Sequence, residues 1–103
     1  MTYGLSDRSY KELLEILASV PEVEEAVIYG SRARGDNWAA SDIDLSLKGD
    51  NLTHRCLRVL NDRLYESHIP YFFDTHIYSE IKNPRFKLNI DREGKVLFSR
   101  LSR

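Results

Sequence analysis

A chain of 103 residues with 42% hydrophobic and 30% charged side chains is too apolar for intrinsic disorder and long enough for one small core. Fifteen basic against sixteen acidic residues leave a formal charge of -1, which excludes nucleic-acid binding by bulk electrostatics while allowing a local basic patch. The lone cysteine, Cys56, excludes an intramolecular disulfide and a cysteine–zinc cluster, and no apolar run approaches the roughly 20 residues of a bilayer span.

The N-terminus lacks the pattern of a secretion signal, so the expectation is a cytoplasmic chain forming a single domain over residues 1–103. Ser6 is placed to cap a first helix whose Tyr10, Leu13, Leu14 and Leu17 form one apolar stripe, with Pro21 beyond its end. Residues 25–29, Glu-Ala-Val-Ile-Tyr, read as a strand running into Gly30. Residues 31–41 are polar and irregular, with one turn of helix expected near Arg34 or Trp38.

From Asp42 to Leu47 the chain alternates, with Ile43, Leu45 and Leu47 on one side and Asp42, Asp44 and Ser46 on the other. After a turn at 48–51, a helix is expected from about Leu52 to His68, burying Leu57, Leu60 and Leu64 beside Cys56. Pro70 leads into a strand over 71–78 that sets Phe72, Asp74, His76 and Tyr78 on one face. A short helix over 84–93, opened by Pro84, and a last strand around 96–98 complete the order. The fold class is α+β, a small mixed sheet with helices packed on it.

Two aspartates on one strand face stand about 6–7 Å apart at Cα and can lean toward a common point. Their repulsion calls for a cation, and magnesium is bound through one or two carboxylates completed by water and substrate phosphates. An isolated Asp-x-Asp is common and on its own reads as an acidic solvent face. Its surroundings add weight. Gly30 lets backbone N–H groups approach a ligand, Ser31 adds a hydroxyl, and Arg32 and Arg34 can neutralise phosphate oxygens. Asp74 interrupts an aromatic run, where a carboxylate needs a partner. If its strand lies beside that of Asp42, three carboxylates converge, as a two-metal centre requires.

The runs Gly-Ser-Arg-Ala-Arg-Gly at 30–35 and Ser-Asp-Ile-Asp-Leu at 41–45 carry a family signature: Gly-Ser, a spacer, Asp-x-Asp, then a third carboxylate on a later strand. With residues 70–74, Ile-Lys-Asn-Pro at 81–84 and Ile-Asp-Arg-Glu-Gly-Lys-Val-Leu-Phe at 90–98, the chain resembles the minimal nucleotidyltransferases of the DNA polymerase β-like superfamily. The resemblance implies Asp42, Asp44 and Asp74 as catalytic metal ligands. Gly30, Ser31, Arg32 and Arg34 would then bind nucleotide. It implies two Mg2+ ions, ATP as substrate, and an antitoxin role beside a HEPN-domain toxin that receives AMP on a tyrosine. The competing reading is a non-catalytic antitoxin that masks the same partner.

So small a chain offers no evident acceptor platform, so a partner is expected to complete the site, with Trp38 and Tyr78 as candidate anchors. Membrane and nucleic acid are not expected partners. The spacing fits neither a phosphate-binding P-loop nor an EF-hand. The three histidines, His54, His68 and His76, form no ligand pattern, and His76 is read as structural.

Overall fold

The computed structural model describes residues 2–100. The elements run α1 (Asp7–Ala18), β1 (Glu25–Tyr29), α2 (Ser31–Arg34), β2 (Ile43–Lys48), α3 (His54–Tyr65), β3 (Phe73–Ile77), a 3-10 turn (Tyr78–Glu80), α4 (Pro84–Glu93) and β4 (Lys95–Ser99). The strands form one mixed sheet in the order β3-β2-β1-β4. β1 is antiparallel to both β2 and β4, whereas β2 and β3 are parallel, joined through α3.

Local chemistry sets most boundaries. The Ser6 hydroxyl accepts the Ser9 N–H at 3.1 Å and starts α1, as its sequence position indicates. Asn83 accepts the N–H groups of Arg85 and Phe86 at 2.9 and 3.2 Å, and Pro84 occupies the first turn of α4. α3 is shorter than its apolar stripe suggests. Thr53 takes the N-cap by accepting the Cys56 N–H, and at the other end both the N–H and the hydroxyl of Ser67 bond to the Leu64 carbonyl. β3 is also shorter than expected, beginning at Phe73 and giving way at Tyr78 to the 3-10 turn. The single turn of helix in the polar segment lies immediately after Gly30, and Trp38 falls in the loop beyond it.

The period-2 pattern of β2 decides the layering. Ile43, Leu45 and Leu47 are fully buried with Ala26 and Ile28 of β1, Leu13 and Leu17 of α1, and Leu60 and Leu64 of α3. At roughly 1.5–3 kcal/mol for each large apolar side chain removed from water, this layer supplies the main drive to fold. α4 covers part of the opposite face, where Phe86 meets Tyr29 edge-on at 5.8 Å and His76 at 5.7 Å. The end of that face where β1 stops and β2 begins carries the acidic residues.

Candidate active site

β1 ends at Tyr29, and the chain reverses at Gly30 with φ of 77°. Only glycine takes this conformation without strain. Space enforces the same choice, because a Cβ at Gly30 would stand 2.5 Å from Asp44 Oδ2. The Asp44 carboxylate therefore leans against the backbone of the Gly-Ser turn. Gly30 provides no side-chain cap for α2, and the Ser31 hydroxyl has no hydrogen-bond partner among the described residues. Both features leave donors that an anion could take.

β2 presents Asp44 on the same face, opposite Tyr29 of β1 on one side and opposite Asp74 of β3 on the other. Asp42 lies just before β2 and is exposed, as is Asp74, while Asp44 is half-buried. Burial pushes the Asp44 carboxyl above its ordinary range, and the charges of Asp74 and Asp42 push it further; Arg32 and Arg34 oppose this more weakly. No ion pair among the described residues includes any of the three aspartates.

Among the described residues no three His, Cys, Asp or Glu side chains are already gathered as a metal cage. The donor set nevertheless fits a hard divalent cation: oxygen ligands only, mutually repelling, and none of them in an ion pair among the described residues. Asp42, Asp44 and Asp74 are the residues that would hold it.

Beside the carboxylates lies a trio of which sequence reading anticipated only the histidine. His76 Nε2 is 2.9 Å from Ser46 Oγ, and the Tyr29 hydroxyl is 3.4 Å from Nδ1. Burial, followed by the charges of Asp44 and Asp74, pushes the Tyr29 phenol far above its ordinary value, so it stays protonated beside Nδ1. Burial also lowers the His76 pKa, against a smaller opposing effect of Asp74. Both ring nitrogens of His76 thus have partners within the protein. Alternation placed Ser46 on the Asp44 face of β2 and His76 on the Asp74 face of β3, but not their contact across the parallel pair.

The arginines differ from the expectation that both meet phosphate. Arg32 is only 2% exposed. Its Nε and one terminal nitrogen donate to the Ser41 carbonyl at 3.0 and 2.7 Å, the other terminal nitrogen donates to the Tyr3 carbonyl at 3.0 Å, and the guanidinium stacks over Tyr71 at 4.3 Å. Its donors are committed to the protein's own carbonyls, which hold the 36–41 loop in place. Arg34 is exposed and bonds to Asp36 at 3.0 Å and to Glu93 of α4 at 3.1 Å. Of the two candidate anchors, Trp38 is 84% exposed, but Tyr78 is packed: its hydroxyl donates to Asp91 at 2.6 Å, and Lys48 and Lys87 lie over its ring.

The mixed sheet with its flanking helices has the fold of a nucleotidyltransferase domain. The family model described as "Polymerase beta, Nucleotidyltransferase" matches residues 11–103, and the chain belongs to that family. A toxin–antitoxin crystal structure with AMP-PNP superposes with a TM-score of 0.72 at 17% identity, covering 89% of this chain and 74% of that one. A mutant of the toxin–antitoxin pair MntA-HpeT gives 0.69 at 14% identity, with the same coverages. A protein of Sulfolobus solfataricus described as a nucleotidyltransferase gives 0.57 at 23% identity, covering 92% and 84%. At these identities the likeness is one of fold. No curated protein matches the chain. Among the described residues no helix is long and apolar enough to cross a membrane.

Proposed function

We infer that the protein transfers AMP from ATP to a hydroxyl of a partner protein, a tyrosine of a HEPN-domain toxin, and so acts as its antitoxin. The observation that carries this reading is the register of Asp44 with Asp74, beside Asp42 and against the Gly30-Ser31 turn. Family membership supports nucleotidyl transfer, and the toxin–antitoxin structures of the same fold, one with AMP-PNP, support the partner and the nucleotide.

The acceptor oxygen attacks the α-phosphorus of ATP in line. A new O–P bond forms, the bond to the β-phosphate oxygen breaks, and pyrophosphate leaves. Two magnesium ions held by Asp42, Asp44 and Asp74 would lower the pKa of the acceptor hydroxyl, near 10 for a free tyrosine, and offset the charge on the leaving group. Gly30 and Ser31 hold the β- and γ-phosphates through N–H groups and the hydroxyl. Asp74, exposed on the outer strand, faces the acceptor and takes its proton. Arg32 acts indirectly by keeping the loop between Ser31 and Asp42 in place. Arg34 lies close enough to Asp44 to affect its charge and can swing from its surface partners to a phosphate.

The test is transfer of label from α-labelled ATP to the proposed HEPN-domain partner, with magnesium, followed by intact mass. The expected result is a toxin heavier by an AMP unit that stays inhibited after separation, with transfer abolished by Asp42→Asn or Asp44→Asn. Undiminished transfer in both variants overturns the mechanism. Inhibition that vanishes on separation, with no gain in mass, leaves a masking antitoxin instead.

A further inference from the structure

We propose that the flank of α4 carrying Arg85, Asn89 and Arg92 is the second wall of the nucleotide site, its two arginines taking the triphosphate of ATP. The proposal rests on the transferase reading above and names the residues that complete the charge balance of that site.

Three aspartates and the Gly30-Ser31 turn make a site short of positive charge. The charge of ATP is matched by two magnesium ions, which leaves that of the carboxylates unanswered. Arg32 commits its hydrogen bonds to the carbonyls of Tyr3, Ala39 and Ser41. Arg34 is shared between Asp36 and Glu93. Further guanidinium groups would supply the deficit, and their forked donors match phosphate oxygens.

The chain concentrates such groups in one segment. Residues 82–103 hold seven of the fifteen basic side chains and two of the sixteen acidic ones. In a chain of formal charge -1, so local an excess is a surface for an anion. Of the two acids, Asp91 bonds to Tyr78 and Glu93 to Arg34. Arg85 and Arg92 are exposed, and no ion pair among the described residues includes either.

Packing turns one flank of α4 toward the carboxylates. Phe86 meets Tyr29 and His76, and Ile90 is buried, so these two residues look down on the sheet. Lys87 and Asp91 turn to Tyr78, which follows the end of β3 remote from Asp74; Lys48, the last residue of β2, lies over the same ring. Glu93 turns the opposite way and reaches Arg34 of α2, at the end of the face where β2 begins. Arg85, Asn89 and Glu93 recur at i, i+4 and i+8, one row along the helix, and Arg92 adjoins it. Phe86 sits over the level of His76. Asp44 and Asp74 precede Ser46 and His76 by two residues, about 6–7 Å along the strands and on the side of that row.

Each arginine has its own station. Arg92 is next to Glu93 and so beside α2, whose first residue, Ser31, is assigned to the terminal phosphates. Arg85 is next to Phe86, which touches His76 of β3, on the side of Asp74 and the phosphate under attack.

The test is binding of ATP and AMP to the full chain, each with magnesium, by titration calorimetry at one ionic strength. Arg85→Gln with Arg92→Gln is expected to weaken ATP at least tenfold, and Arg85→Lys with Arg92→Lys to restore part of the loss. Arg92→Gln alone should weaken ATP and leave AMP unchanged. The matched control is Arg55→Gln with Arg58→Gln, which removes the same charge from exposed positions of α3, on the opposite face of the sheet. It should leave ATP affinity within about twofold of the native chain. Thermal melts of both double variants should coincide with the native one, since only exposed side chains change.

Equal losses in the two double variants assign the effect to net charge and overturn the proposal. So does an unchanged ATP affinity in the α4 variant, or one retained while the complex with the HEPN-domain partner is lost, which makes this flank a docking surface. AMP weakened by Arg92→Gln as much as ATP removes Arg92 from the terminal phosphates. Failure of the underlying reading looks different: ATP binds with the expected dependence on Arg85 and Arg92, yet label reaches no partner hydroxyl.

Discussion

Asp44 and Asp74 stand directly opposite each other across the parallel pair β2–β3, two carboxylates in register, neither of them in an ion pair among the described residues. Like charges placed opposite one another destabilise a sheet. The fold accepts this cost at one end of one face, next to a glycine whose backbone the Asp44 carboxylate touches. A local conflict of this kind is characteristic of sites built to bind.

That conflict makes stability depend on pH in a defined direction. Asp44 titrates above its ordinary value of 3.8 in the folded chain, so the native state holds this proton more tightly than the unfolded state does. Through the window between that value and the raised folded one, stability falls as pH rises, and above the window the full cost remains. Asp44→Asn is therefore expected to melt a few degrees higher than the native chain at pH 7, the difference closing as the solution is acidified below about pH 4. Thermal melts of both proteins from pH 3.5 to 8 check the sign; a variant less stable at neutral pH would refute it.

Magnesium should relieve the same repulsion. A cation bound only to the folded chain stabilises it by about 2.7 kcal/mol when present at a hundred times its Kd. Since about 1 kcal/mol moves the melting temperature of a domain this small by roughly 4–8 °C, the effect is readily measured by calorimetry. Asp42→Asn combined with Asp44→Asn should eliminate it, and a chelator should reverse it in the native chain.

Gly30→Ala and Gly35→Ala separate close approach from backbone strain. Both glycines have positive φ, 77° and 88°. At Gly35 a Cβ would meet nothing within 4 Å, so the cost there is the backbone term alone, about 1 kcal/mol, with transfer retained. At Gly30 the new methyl group also collides with Asp44, giving about 1–3 kcal/mol and at least a tenfold loss of transfer as the carboxylate is displaced. Urea unfolding alongside the labelling assay distinguishes the two.

Arg32→Lys tests the internal clamp. An ammonium group cannot reproduce the forked bonds to the Tyr3 and Ser41 carbonyls together with the stack on Tyr71, so the variant should lose about 2–4 kcal/mol in chemical denaturation. Arg34→Ala removes only surface pairs and should leave the unfolding midpoint unchanged while raising the KM for ATP several-fold. An unaltered KM would take Arg34 out of phosphate binding.

Much of the fold is written locally. Ser6 before an apolar stripe, Asn83-Pro84 at the head of α4, and the strict alternation of residues 43–47 each encode an element within a few consecutive positions. Gly30-Ser31 and Asp42-x-Asp44 were legible for the same reason: the turn and the paired carboxylates depend on residues close in the chain. The ends of α3 and β3 were less so, because capping by Thr53 and Ser67 overrides the apolar periodicity.

Contacts between distant segments were decided only by the tertiary structure. Nothing near Asp74 states that its strand pairs in parallel with β2 and in register with Asp44; the crossover through α3 fixes that. Arg32 looks like a phosphate ligand until the carbonyls of Tyr3 and Ser41, one of them 29 residues away, are brought to it by packing. Tyr29, Ser46 and His76 meet through three strands. The sequence by itself determined which short stretches carry helix, strand, turn and paired acid, since those preferences act between near neighbours. Which acids face each other, and which base is buried, followed from the way hydrophobic burial stacks the elements.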